Sequence, residues 1–133
     1  MKRILTAIIC ATLALSGCTP KADKAAEVAT GFLTEFFNMN YAGAASLCSD
    51  DIAAMIKDTI AADEYPSEEI RAKVVEASRN TTFKIVSCEM METSDTVVVC
   101  YEIYPFGAAG NTPIPHSMSL LREGGNWKIV ALE

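Results

Sequence analysis

Apolar positions recur first with helical spacing and then, past residue 82, with strand spacing. Ala25, Val28, Ala29, Phe32, Leu33, Phe36 and Phe37 are separated by steps of three and four, while Lys24, Glu27, Thr34, Glu35 and Asn38 fill the opposite side. This spacing predicts an amphipathic helix with a wide aromatic stripe, capped by Asp23 and ended by Asn38-Met39-Asn40. A run of small residues predicts a second helix from Tyr41 to Cys48, with Asn40 as its cap. Ile52, Met55, Ile56 and Ile60 mark a third, with Asp50 and Asp51 in the first turn, where the helix dipole favours acids. Asp63-Glu64-Tyr65-Pro66 interrupts the pattern. Ser67 then caps a fourth helix whose apolar face is Ile70, Val74 and Ala77 and which ends near Arg79.

Four segments rich in Val, Ile, Thr and aromatics read as strands: Thr82–Glu92, Thr96–Tyr104, His116–Arg122 and Trp127–Leu132. Turns around Thr93-Ser94-Asp95 and Gly124-Gly125-Asn126 join the outer pairs. The prolines and glycines from Pro105 to Pro115 make a long loop between them. Helices followed by an antiparallel meander give an α+β domain, with N-terminal helices packed on a curved sheet of at least four strands.

The start of the chain is organised differently. Lys2-Arg3 precede an apolar and small-residue run from Ile4 to Leu15, followed by Ser16-Gly17-Cys18. A charged start, a short apolar stretch and a small-residue processing site make a leader, not part of the fold. Leu15-Ser16-Gly17-Cys18 resembles a bacterial lipoprotein signal. The resemblance implies cleavage before Cys18 and lipid on its sulfur, because only a thiol can take a thioether-linked diacylglycerol. Several acyl chains on one residue anchor stably where a single chain does not. The expected organisation is a signal peptide over 1–17, a lipidated tether over 18–24 and a single α+β domain over 25–133. By resemblance to sorting patterns, the lack of Asp at position 19 favours the outer membrane of the envelope, and we expect the domain to face the periplasm. An ordinary secretory signal and an uncleaved anchor are the alternatives, and the apolar run is short for a span.

Composition narrows the partners. The 133 residues suit one domain, and the net charge of −6 becomes more acidic once Lys2 and Arg3 leave with the leader. Phosphate binding needs concentrated Lys and Arg, so nucleic acid is not an expected partner. The expected partners are the membrane, through the N-terminal lipid, and a small molecule or envelope protein.

A family resemblance completes the picture. Phe32-Leu33 through Asn40-Tyr41-Ala42-Gly43-Ala44-Ala45-Ser46-Leu47 resembles the opening of nuclear transport factor 2-like (cystatin-like) domains. Ser94-Asp95-Thr96-Val97-Val98-Val99 resembles their central hairpin, and Glu123-Gly124-Gly125-Asn126-Trp127-Lys128-Ile129-Val130 their closing strand. With the leader, the chain is similar to small, mostly uncharacterised envelope lipoproteins of that superfamily. The resemblance implies a cone, with a curved sheet wrapped against a long helix and a cavity at the open end. The long proline-rich loop and the stop at Glu133 depart from a complete six-strand sheet.

Cys48, Cys88 and Cys100 follow the leader, and an exported domain meets an oxidising compartment. A three-residue turn at Thr93-Ser94-Asp95 would set Glu92 opposite Thr96 and Cys88 opposite Cys100, within disulfide reach. That register would gather Phe83, Ile85, Met91, Val97, Val99, Tyr101 and Ile103 on one face, together with Ser87 and Glu89. The expectation is a Cys88–Cys100 bridge; three free thiols, or a bridge from Cys48 to either strand, are the alternatives. Zinc on these cysteines and His116 is disfavoured because no close ligand pair occurs. No metal or cofactor is expected.

Candidate ligand-binding residues are Tyr41, Glu89, Tyr101, Tyr104, Phe106 and His116. Cone-shaped enzymes of the resembled superfamily use acids, tyrosines and His–Asp pairs in the cavity. A carboxylate on an apolar wall could act as a base, although Glu89 at a frayed strand end would sit in water. Phe106 and Ile114 could lie at the cavity rim. No residue stands out as catalytic, so the expected function is a non-catalytic, lipid-anchored binding module. A small proton-transfer enzyme on an apolar substrate, using Glu89 or His116 with a tyrosine, is the alternative. An acidic interaction protein such as an immunity or stress factor is a third.

Overall fold

The computed structural model describes residues 20–61, 65–91, 95–107 and 112–133. Residues 1–19, which include Cys18, and residues 62–64, 92–94 and 108–111 lie outside them. Among the described residues four helices precede four strands: α1 (Pro20–Phe37), α2 (Tyr41–Ala45), α3 (Asp50–Ala61), α4 (Glu68–Asn80), β1 (Thr82–Met90), β2 (Thr96–Tyr104), β3 (Ile114–Glu123) and β4 (Asn126–Leu132). The strands form one curved antiparallel sheet in the order β1-β2-β3-β4, so the architecture is α+β, as expected.

Helix α1 starts earlier than predicted. Pro20 suits a first helical position, where its missing N–H is no loss, and Asp23 sits inside the first turn instead of capping it. Ala22 extends the Ala25–Ala29 stripe by one turn and is 2% exposed. Helical backbone thus begins at Pro20, inside the 18–24 stretch expected as a tether. The helix closes with Asn40 N–H donating to Glu35 O and Met39 N–H to Phe36 O, a Schellman-type end with Met39 at φ 63°. A side chain in that left-handed region is strained. Met39→Gly is expected to raise stability by about 0.5–1 kcal/mol, read as a higher thermal midpoint; a lower midpoint would refute the assignment.

The other caps follow the sequence. Asn40 Oδ1 accepts from Gly43 N–H at 3.2 Å, and Ser67 Oγ accepts from Ile70 N–H at 3.2 Å. Asn40 Nδ2 also donates to Glu35, and a Cβ at Gly43 would collide with both side chains, which explains a glycine inside so short a helix. Helix α2 ends at Ala45, and Cys48 instead makes a parallel bridge to Ile129. Ile129 N–H donates to Leu47 O and Ser49 N–H to Ile129 O, so this link covers the edge of β4.

Two irregularities control which side chains face the helices. Between β1 and β2 the register shifts at Val86, with Ile85 opposite Tyr101 but Ser87 opposite Cys100. A second shift, at Val130, separates Leu120↔Ile129 from Ser119↔Ala131. Each bulge puts an extra residue in one strand and reverses the in–out alternation beyond it. The buried sheet side chains Val97, Val99, Tyr101, Met118, Leu120, Trp127 and Ile129 share the helical side with Ala25, Ala29, Phe32 and Leu33. Strand β3 begins at Ile114, inside the predicted loop, with Pro115 opposite Glu102. Strand β4 ends at Leu132, paired with Met118, so Pro115 lies past its ladder, where a missing N–H costs nothing.

Candidate functional site

Part of the aromatic stripe of α1 extends past the buried sheet residues and forms one wall of an apolar cavity that is open to solvent. Phe32, Leu33, Phe36 and Phe37 form one wall; Tyr101, Ile103, His116, Leu132 and Glu133 form the other. Its volume is about 290 Å³ and its surface is almost wholly apolar. Phe32 stacks on Phe36 at 5.7 Å, and Phe37 on Phe83 at 6.4 Å, which fixes the helix wall. Ser78 Oγ donates to Phe37 O at 2.8 Å and ties α4 to the end of that wall.

Tyr101 and His116 meet because β2 and β3 pair them directly. Their rings stack at 5.8 Å with 22° between planes. His116 Nδ1 lies 3.0 Å from Glu133 O. A carbonyl can only accept, so Nδ1 carries the proton of this bond and the ring orientation is set. Ser117 and Glu133 exchange both backbone hydrogen bonds, holding the last residue beside the cavity. Burial raises the Tyr101 phenol above the ordinary tyrosine range and keeps it neutral.

The remaining sequence candidates fall elsewhere. Tyr41 packs edge-on against Phe36 at 5.3 Å and does not line the cavity. Tyr104 donates to Glu102 Oε1 at 3.0 Å, which raises its own pKa. Phe106 and Ile114 are half exposed and are not rim residues of this cavity; Phe106 N–H donates to Thr81 Oγ1.

Glu89 and the cysteines require correction. The bulge at Val86 turns Ser87 and Glu89 to the face opposite the helices and brings Cys88 and Met90 to the core side, opposite Val99 and Val97. Glu89 is exposed and cannot serve as a carboxylate on an apolar wall. Met91 is likewise 47% exposed. The expected Cys88–Cys100 bridge does not form: the two side chains leave the sheet on opposite faces, and Cys100 carries a free thiol. Cys88 is not a free thiol, and Cys100 is not its partner.

Cys48 is the other free thiol, buried and donating to Ala44 O at 3.4 Å. Burial pushes it up from 9.0 to about 11, against a smaller opposing pull from Lys128. The folded protein therefore keeps a proton that the unfolded chain releases above pH 9, so stability falls as pH rises from 9 towards 11. The expected slope is up to about 1.4 kcal/mol per pH unit. Urea midpoints between pH 8 and 10 should drop, and Cys48→Ala should flatten the curve in part, because burial of Tyr101 acts with the same sign. An unchanged slope in Cys48→Ala would refute the account.

Other clefts exist among the described residues, including one of about 440 Å³ at Tyr65, Ser67, Glu68 and Arg71. One of about 460 Å³, between α1 and β1, is lined by Asp23, Glu27, Thr30 and Cys88 among others. One of about 350 Å³ includes Cys100, Glu102 and Ser117 from the far face and shares Tyr101, His116 and Glu133 with the apolar cavity. No group of three or more His, Cys, Asp and Glu comes together among the described residues, and none of their helices is long and apolar enough to cross a membrane.

Comparison of the chain with protein-family models, with curated proteins and with solved structures finds no match in any of the three. The cavity walls were only half legible beforehand. Tyr101 and His116 stand among the sequence candidates, whereas Phe32, Leu33, Phe36, Phe37, Ile103, Leu132 and Glu133 do not. The available signal was the breadth of the α1 stripe, which exceeds what one buried helix face needs.

Proposed function

We propose that this protein is a non-catalytic binding module of the bacterial envelope, tethered by lipid on Cys18, that holds a small apolar molecule between α1 and the sheet. One observation carries the reading: an almost wholly apolar cavity of about 290 Å³ between the helix and strands. Ligand sites are concave, mainly apolar and few per protein, and a cavity of roughly 150 Å³ already accepts benzene. The leader supports the envelope address. Helix-first order, the long amphipathic α1 and the meander support a nuclear transport factor 2-like cone built on fewer strands. Proton-transfer chemistry keeps His116 beside the cavity but lacks the Glu89 base it was to use.

The test is purification of the full chain from bacterial membranes. Solvent extraction should release a small apolar molecule in stoichiometric amount; a chain that carries none and binds no octanol overturns the binding reading. The intact mass should show a lipidated N-terminus beginning at Cys18. A sulfur holds either a thioether or a disulfide, so peptide mapping that finds Cys18 bridged to Cys88 would overturn the anchor.

A further inference from the structure

One buried polar group beside the cavity has no use inside the protein. Tyr101 is 5% exposed, yet its hydroxyl makes no hydrogen bond to any described residue. Buried hydroxyls are nearly always paired, so an unpaired one asks for a reason. The imidazole stacked on the Tyr101 ring makes its own bond to Glu133 O, and Glu133 turns its carboxylate to Ser117 on the far face. The phenylalanines, leucines and isoleucine that complete the cavity wall carry no acceptor in their side chains. Among the described residues no fully sealed side-chain polar atom lacks a partner, so the Tyr101 oxygen touches open space. Its ring leaves the sheet on the helical side, where the space it borders is the apolar cavity. The hydroxyl is therefore an unused donor in largely apolar surroundings, where a hydrogen bond is stronger than in water, and burial keeps it protonated.

We propose that the cavity takes an uncharged apolar molecule bearing one oxygen acceptor, a carbonyl or a hydroxyl, to which the Tyr101 hydroxyl donates. The inference rests on the cavity being a binding site and adds the polar group that the ligand carries and the residue that reads it. A plain hydrocarbon would leave the phenol unpaired, which a buried polar group does at a cost. A carboxylate or phosphate would be stripped of water at a wall that holds no lysine or arginine. The apolar body supplies most of the affinity, and the oxygen supplies selectivity.

Probes of nearly one shape isolate the bond: ethylbenzene, which cannot accept, and acetophenone and 1-phenylethanol, which can. Each is titrated into the full chain and into Tyr101→Phe, which removes the hydroxyl alone. The variant should bind at least one oxygen-bearing probe about three- to tenfold more weakly and keep ethylbenzene within about twofold. The larger of the two losses tells a carbonyl from a hydroxyl as the acceptor. The unfolding midpoint of Tyr101→Phe should stay level or rise, because the hydroxyl has no bond within the protein to lose. Tyr104→Phe, which removes a hydroxyl bonded to Glu102 on the far face, should leave the affinities unchanged. Equal losses for all three probes, no loss for either oxygen-bearing one, a clear fall in the midpoint, or Tyr104→Phe acting as strongly overturns the proposal. Failure of all three to bind the parent chain overturns the cavity reading beneath it, and that failure is distinct because ethylbenzene makes no use of the hydroxyl.

Discussion

Leu120→Ala is expected to lower the unfolding free energy by about 3–4 kcal/mol, while Leu121→Ala one position along costs under about 1.5 kcal/mol. Leu120 is fully buried, paired with Val97 on one side and Ile129 on the other, at the centre of the sheet under α1. Truncation there leaves a cavity among Val97, Ile129 and their neighbours that backbone held on both sides by ladders cannot collapse to fill. Leu121 points to the opposite face and is only half buried. Urea unfolding of both variants, with the denaturant slope checked for constancy, reads the difference directly. Equal losses would mean that the face assignment of β3 is wrong.

Leu132→Trp is expected to abolish most binding of an apolar probe without unfolding the protein. Leu132 lines the cavity and is 37% exposed, so an indole can extend into the space from the sheet wall without displacing a sealed core residue. Occupying the space should weaken octanol binding by at least about thirtyfold, or roughly 2 kcal/mol. The unfolding midpoint should move little, since the backbone pairing of Leu132 with Met118 is retained. Octanol affinity within threefold of the parent chain would place the probe elsewhere. Loss of the unfolding transition would show that position 132 is structural, and Ile103→Trp on β2 then becomes the variant to read.

The helices were legible because their signals are local. Steps of three and four from Ala25 to Phe37, the Asn40 and Ser67 caps and the change of period at Thr82 each depend on residues within one or two turns. The strand order was legible too, since a meander joins neighbours in sequence. Facing was not. A hairpin register extrapolated from the turn holds only while both strands advance together, and the extra residue at Val86 breaks that condition. That single residue sends Glu89 outward, turns Cys88 inward and separates it from Cys100. The pairing of Tyr101 with His116 could not be read either, because the loop from Pro105 to Pro115 leaves the offset between β2 and β3 open.

The amino-acid pattern by itself thus determined the elements, their order, the α+β class and the aromatic stripe that makes one wall of the cavity. Local periodicity and capping act over a few residues and are written in the chain. The tertiary structure alone decided the cavity, the stacked Tyr101–His116 pair held by Glu133 and the separation of the two cysteines. Those depend on register and on two bulges, where packing against α1 selects among pairings that local preference leaves nearly equal.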